Sequence, residues 1–256
     1  MAEELPRTIE NPIAGERVTF LATAEETNGE YVRVRVEASA GARGTVMHYH
    51  LAYTEAFEVV EGTLDVAIGT KDNHLVLAEG ESTFVPVNIA HRFWNSSTER
   101  AVFEVEIRPA RNFEKAIRAQ LGLVEEGKTN DKAIPKNILE LALIYELSES
   151  YVVGMPLSLQ KGIFGALARV ARWRGYDPEF SKYTKPGGLV EERVPPSGRR
   201  LGTLTALTAM LALLLMLWRR SRRNSTRYLR HPTSENPLYG NFIEYPTREV
   251  RRIPSE

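Results

Sequence analysis

The 256-residue chain is 43% hydrophobic and 26% charged, which excludes a largely disordered or collagen-like polymer and leaves room for one large domain or a smaller one with extensions. It contains no cysteine, so disulfides, thiolate metal sites and a cysteine nucleophile are excluded. The 33 basic and 33 acidic residues cancel, but unevenly: residues 1–110 carry 9 basic against 18 acidic, residues 201–256 carry 9 against 4. An acidic front half argues against a nucleic-acid partner, and a basic end suits anionic lipid.

The opening MAEELPRTIENPIAG has no basic start and no apolar run, so no secretory leader is expected. From Arg17 to Arg108 the pattern is β. Val32, Val34 and Val36 alternate with Arg33, Arg35 and Glu37; Phe103, Val105 and Ile107 alternate with Glu104, Glu106 and Arg108. Turn signals at Asn28-Gly29, Glu61-Gly62, Lys71-Asp72-Asn73 and Glu79-Gly80 punctuate these runs, and predict an antiparallel sandwich or small barrel over 17–109.

After Pro109 the period changes to helical, and residues 110–176 are expected to form a helical extension packed on the barrel. Asn112 is placed to cap a helix through Phe113, Ile117 and Leu121 that Gly122 ends. Pro135 suits the start of a second, largely apolar helix through Leu147. A third, from about Leu157 to Trp173, has an apolar stripe of Leu159, Ile163, Leu167 and Val170. Residues 177–200, rich in Pro and Gly, read as a linker.

Residues 201–218, LGTLTALTAMLALLLMLW, carry no charge and end at Trp218 ahead of Arg219, Arg220, Arg222 and Arg223. They predict one transmembrane helix, with 219–256 a polar basic tail. Basic residues slightly favour a cytoplasmic C-terminus. The lack of a leader opposes that orientation and tips the expectation toward a cytoplasmic β domain. The sequons Asn95-Ser96-Ser97 and Asn224-Ser225-Thr226 are discounted on the same ground.

Of the five histidines, three in the β region, His48, His50 and His91, stand at suggestive spacing. His48 and His50, two apart, share a strand face. Glu55 shares a face with Phe57 and Val59, and His91 with Phe93. Imidazoles and a carboxylate aimed at an apolar interior call for a divalent cation, which offsets the unfavourable burial of their charge. A nitrogen and oxygen donor set suits Fe, Mn, Ni, Cu or Zn and disfavours a purely structural zinc, which usually takes cysteine. His74 and His231 read as surface residues, and Glu58 and Glu61 as a solvated face and a turn. Phe57, Phe84, Phe93 and Val105 read as barrel core first and as lining of a ligand pocket second.

The stretches His48-x-His50-x4-Glu55-x6-Gly62 and Gly80-x5-Pro86-x-Asn88-x2-His91-x3-Asn95 resemble the two signatures of the cupin superfamily. They are similar to those of single-domain, quercetin dioxygenase-like members. Two positions depart from the family pattern: six residues rather than five separate Gly41 from His48, and Asn88 stands where a glycine is usual. Asparagine tolerates the left-handed turn such a position needs.

The resemblance implies a mainly β fold, a double-stranded β-helix (jelly-roll) barrel followed by helices. It also implies one divalent metal held by His48, His50, Glu55 and His91, and a homodimer. Such a metal keeps about two coordination positions open, which supports a small-molecule dioxygenase, an isomerase or decarboxylase, or simple ligand binding. Two functions are expected to compete: a dioxygenase-like enzyme, and a non-catalytic module tethered to the membrane by 201–218 that binds a sugar or organic anion.

Overall fold

The computed structural model describes residues 5–176 and 180–185. Ten strands come first: β1 (Thr8–Asn11), β2 (Glu16–Ala22), β3 (Val32–Ala38), β4 (His48–His50), β5 (Thr54–Glu61), β6 (Thr63–Ile68), β7 (His74–Ala78), β8 (Ser82–Val85), β9 (His91–Trp94) and β10 (Ala101–Arg108). Helix α1 (Phe113–Glu125), helix α2 (Ile138–Ser148), strand β11 (Ser150–Val152) and helix α3 (Leu157–Trp173) follow. The strands form two antiparallel sheets, ordered β1-β2-β3-β10-β5-β8 and β11-β4-β9-β6-β7. The fold is mainly β and cupin-like, with helices after it.

Alternation explains how the sheets close. In β3 the three valines are buried while the residues between them are only partly so. The register sets Val34 against Val105 of β10, and Arg35 against Glu104 on the other face, where Arg35 Nη2 lies 2.7 Å from Glu104 Oε1. Half-exposed ion pairs of this kind add little energy. The register instead follows from which face is apolar. Val34, Phe57, Phe103 and Val105 from one sheet meet Leu64, Val66 and Leu77 from the other in a single buried core.

Strand β1 and the first residue of β2 lie ahead of residue 17, where the alternation begins. Only Asn11 of β1 is buried, so this edge strand carries almost no apolar signal.

Helix α2 begins where Asn137 Oδ1 accepts a hydrogen bond from Leu139 N at 3.0 Å. Helix α1 differs from expectation at both ends: Asn112 makes no side-chain cap bond, and the helix runs past Gly122 to Glu125. Gly122 is not a stop. It leaves room for the ring of Tyr183, into which a Cβ would run. Helices α1, α2 and α3 share a second core of Leu123, Leu139, Ala142, Leu143, Leu167 and Ala171.

Among the described residues no helix is long and apolar enough to cross a membrane. The expected transmembrane helix 201–218, the tail 219–256 and all of the linker 177–200 except 180–185 lie outside the described residues.

Candidate metal centre

The site is built from three strands. His48 and His50 lie on β4, His91 directly opposite His48 on β9, and Glu55 on β5 of the facing sheet. Period-two geometry turns both β4 histidines to one face. Their ring centroids are 4.7 Å apart, and His91 lies 4.4 Å from His48 and 5.3 Å from His50. One nitrogen from each imidazole falls within a sphere where all three are no more than 4.8 Å apart. Glu55 joins them: His91 Nε2 is 2.8 Å from Glu55 Oε2, and His50 Nε2 is 3.3 Å from Glu55 Oε1. His50, Glu55 and His91 are buried and His48 partly so.

The outer nitrogens are held. His48 Nδ1 lies 2.8 Å from the Val46 carbonyl oxygen, and His91 Nδ1 lies 3.1 Å from that of Ile89. A carbonyl only accepts, so both rings carry their proton on Nδ1 and turn Nε2 inward. This is the arrangement metal-ligating histidines adopt. His50 Nδ1 meets Ser150 Oγ at 3.1 Å, and its Nε2 has no hydrogen-bond partner. An unpartnered ring nitrogen inside a core is unfavourable unless something electron-poor meets it. The donor set therefore fits a divalent transition ion.

Electrostatics point the same way. Burial opposes ionisation of Glu55, but the facing His50 and His91 imidazoles outweigh it and hold the carboxyl well below its usual range. Burial likewise opposes charge on His91, and Glu55 overcomes it and raises that pKa. For His48, burial and then the neighbouring His91 and His50 push the pKa down to about 3. Without a cation, His48 is thus held unprotonated while the pairing with Glu55 keeps a proton on His91, at the place an ion would take.

Of the side chains expected to line a pocket, Phe57 is buried with its ring 6.3 Å from His91, Phe93 is partly buried 6.0 Å from Phe57, and Val105 is buried in the core. Phe84 departs from the expectation: it is 57% exposed. The β5–β8 register pairs it with Ala56, on the face opposite Glu55 and Phe57, and gives the inward place beside Glu55 to Val85. Asn88 takes the left-handed turn, at φ 64°, and its N–H donates to the His50 carbonyl at 2.6 Å.

Two residues at the centre carry no signal in the sequence. Tyr53 stacks on His50 at 4.1 Å, and Ser150 belongs to the helical extension. Nothing local to residue 150 marks it; only the pairing of β11 with β4 brings it to His50.

Residues 34–107 match the family model of the cupin domain, Cupin_2. Among solved structures, an RmlC-like cupin from Shewanella frigidimarina is 27% identical over 40% of this chain and 84% of its own, with a TM-score of 0.34. KdgF from Halomonas sp. is 20% identical over 41% of this chain and 89% of its own (TM-score 0.35). The polyketide cyclase RemF from Streptomyces resistomycificus is 19% identical over 42% and 72% (TM-score 0.34). No curated protein gives a significant match. With both signatures in order and the two-sheet topology around them, the chain carries a cupin domain over residues 34–107.

Proposed function

We propose that this domain holds one divalent transition metal through His48, His50, Glu55 and His91 and acts on a small oxygen-bearing molecule, in the manner of a dioxygenase-like cupin. The observation that carries this reading is the convergence of three imidazole nitrogens within 4.8 Å, with His50 Nε2 unpartnered beside Glu55. When bound, such a metal supplies Lewis acidity and open positions for an oxygen donor and dioxygen.

The chain's own residues do the rest. Glu55 offsets part of the cation's charge, and the Nδ1 contacts fix the aim of the His48 and His91 rings. Phe57, Phe93 and Tyr53 surround the donors with apolar surface that keeps bulk water away and favours a flat, weakly polar ligand.

The test is elemental analysis of the purified protein, followed by oxygen uptake with a flavonol or another enolic compound. We expect Fe, Mn, Ni or Cu and substrate-dependent uptake that is lost with the metal in His48→Ala and Glu55→Ala. Activity that survives both substitutions contradicts the reading.

A second reading rests on a separate observation, the uncharged run 201–218 ahead of four arginines. In it the barrel is a membrane-tethered binding module for a small ligand such as a sugar or organic anion. It predicts saturable binding without product and sedimentation of the full chain with membranes; release by salt alone would argue against the anchor.

A further inference from the structure

The three histidines are not supported alike. His48 and His91 each rest Nδ1 on the carbonyl two residues upstream. His50 depends instead on Ser150, 100 residues away and outside the cupin match at 34–107.

The segment carrying Ser150 is held at several points. Glu149 closes α2 in the left-handed conformation, φ 48°, a strained backbone for a residue with a side chain. Arg111 pins it, with Nε and Nη2 donating to the two Glu149 carboxylate oxygens at 2.9 Å each. This turn brings the chain from helix to strand. β11 then pairs with β4, Ser150 opposite His50 and Val152 opposite His48. On the far side Gln160 of α3, completely buried, accepts from Val152 N and donates to the carbonyls of Val152 and Met155.

Donor and acceptor chemistry limits where the protons around Ser150 can sit. The Ser148 carbonyl accepts from the Tyr53 hydroxyl at 2.7 Å and from Ser150 Oγ at 3.2 Å. Ser150 has one hydroxyl hydrogen, and a carbonyl supplies none. In the arrangement proposed here that hydrogen goes to Ser148, so Oγ offers lone pairs to His50 Nδ1 and the ring donates. Its Nε2 is then left unprotonated and facing Glu55, while the Tyr53 ring stacked on His50 fixes the plane of the imidazole.

We propose that Ser150 is a positioning residue for His50: a strand from the helical extension sets the tautomer and aim of one ligand and so completes the metal centre of the cupin domain. This rests on the reading that His50 is a metal ligand. Outer hydrogen bonds to ligating histidines typically change metal affinity 10- to 100-fold.

The test uses the full chain, wild type, Ser150→Ala and Ser150→Thr, titrated with Co²⁺, with thermal unfolding in chelator and ¹⁵N NMR of the histidine rings in metal-free protein. The expected result is a 10- to 100-fold weaker Co²⁺ affinity in Ser150→Ala, largely restored in Ser150→Thr, with the metal-free midpoint moved by no more than about 2–4 °C. The His50 spectrum should show protonated Nδ1 in the wild type and Ser150→Thr, and lose that preference in Ser150→Ala. Wild-type affinity in Ser150→Ala, or a His50 tautomer that ignores the substitution, overturns the proposal and leaves the metal reading standing. A wild type that takes up no Co²⁺ overturns the metal reading, and the proposal with it.

Discussion

His91 Nε2 lies 2.8 Å from Glu55 Oε2, while Nδ1 of the same ring lies 3.1 Å from the Ile89 carbonyl. Both contacts need a hydrogen from the imidazole, so this ring is a cation paired with a carboxylate inside the barrel, at the place a metal ion would take. Removing one partner strands the other charge in the core. His91→Leu or Glu55→Leu alone should destabilise the metal-free protein by about 3–5 kcal/mol, and the double substitution by less than the two together. Urea unfolding in chelator reads the cycle; additive losses would mean the pair does not interact.

Asn95 ends the second signature and is almost fully buried. Its Nδ2 donates to the carbonyls of Ala38, Ser39 and Glu99, and its Oδ1 accepts from Ser97 N and Ser97 Oγ. The nitrogen a glycan would need is occupied, which removes Asn95 as an acceptor in the folded protein. Asn95→Ala should lower stability by about 2–4 kcal/mol, since the buried Ala38 carbonyl and the partly buried ones of Ser39 and Glu99 lose their donor at once. A midpoint unchanged within a degree would refute that network.

Glu16, at the start of β2, has a buried Oε1 without a hydrogen-bond partner, and burial pushes its carboxyl pKa up to about 7. An acid with a raised folded pKa binds its proton more tightly folded than unfolded, so its contribution to stability declines as pH rises from about 4.5 through 7. Glu16→Gln should therefore gain a few degrees in unfolding midpoint at pH 8 and almost none at pH 4. An equal gain at both values would show that charge is not the cause.

The β region could be read from its sequence because one face of each strand is apolar: Val32, Val34 and Val36 announce β3 without help from elsewhere. The signature spacing likewise pointed to His48, His50, Glu55 and His91, which the fold does bring together. What could not be read depends on register and distance. Phe84 has the composition of a lining residue, but its parity on β8 sends it outward. Gly122 looks like a helix stop, and only the position of Tyr183 shows why the helix continues. Ser150 sits in a three-residue strand whose pairing with β4 no local pattern encodes.

The most direct measurement is the metal stoichiometry and affinity of the purified chain beside its His91→Gln and Glu55→Gln variants, by elemental analysis and Co²⁺ titration. If the four side chains share one ion, the wild type should bind a single equivalent, and each variant should bind at least about 100-fold more weakly than the wild type, more than an outer-sphere change produces. Variants that keep the wild-type affinity would contradict it.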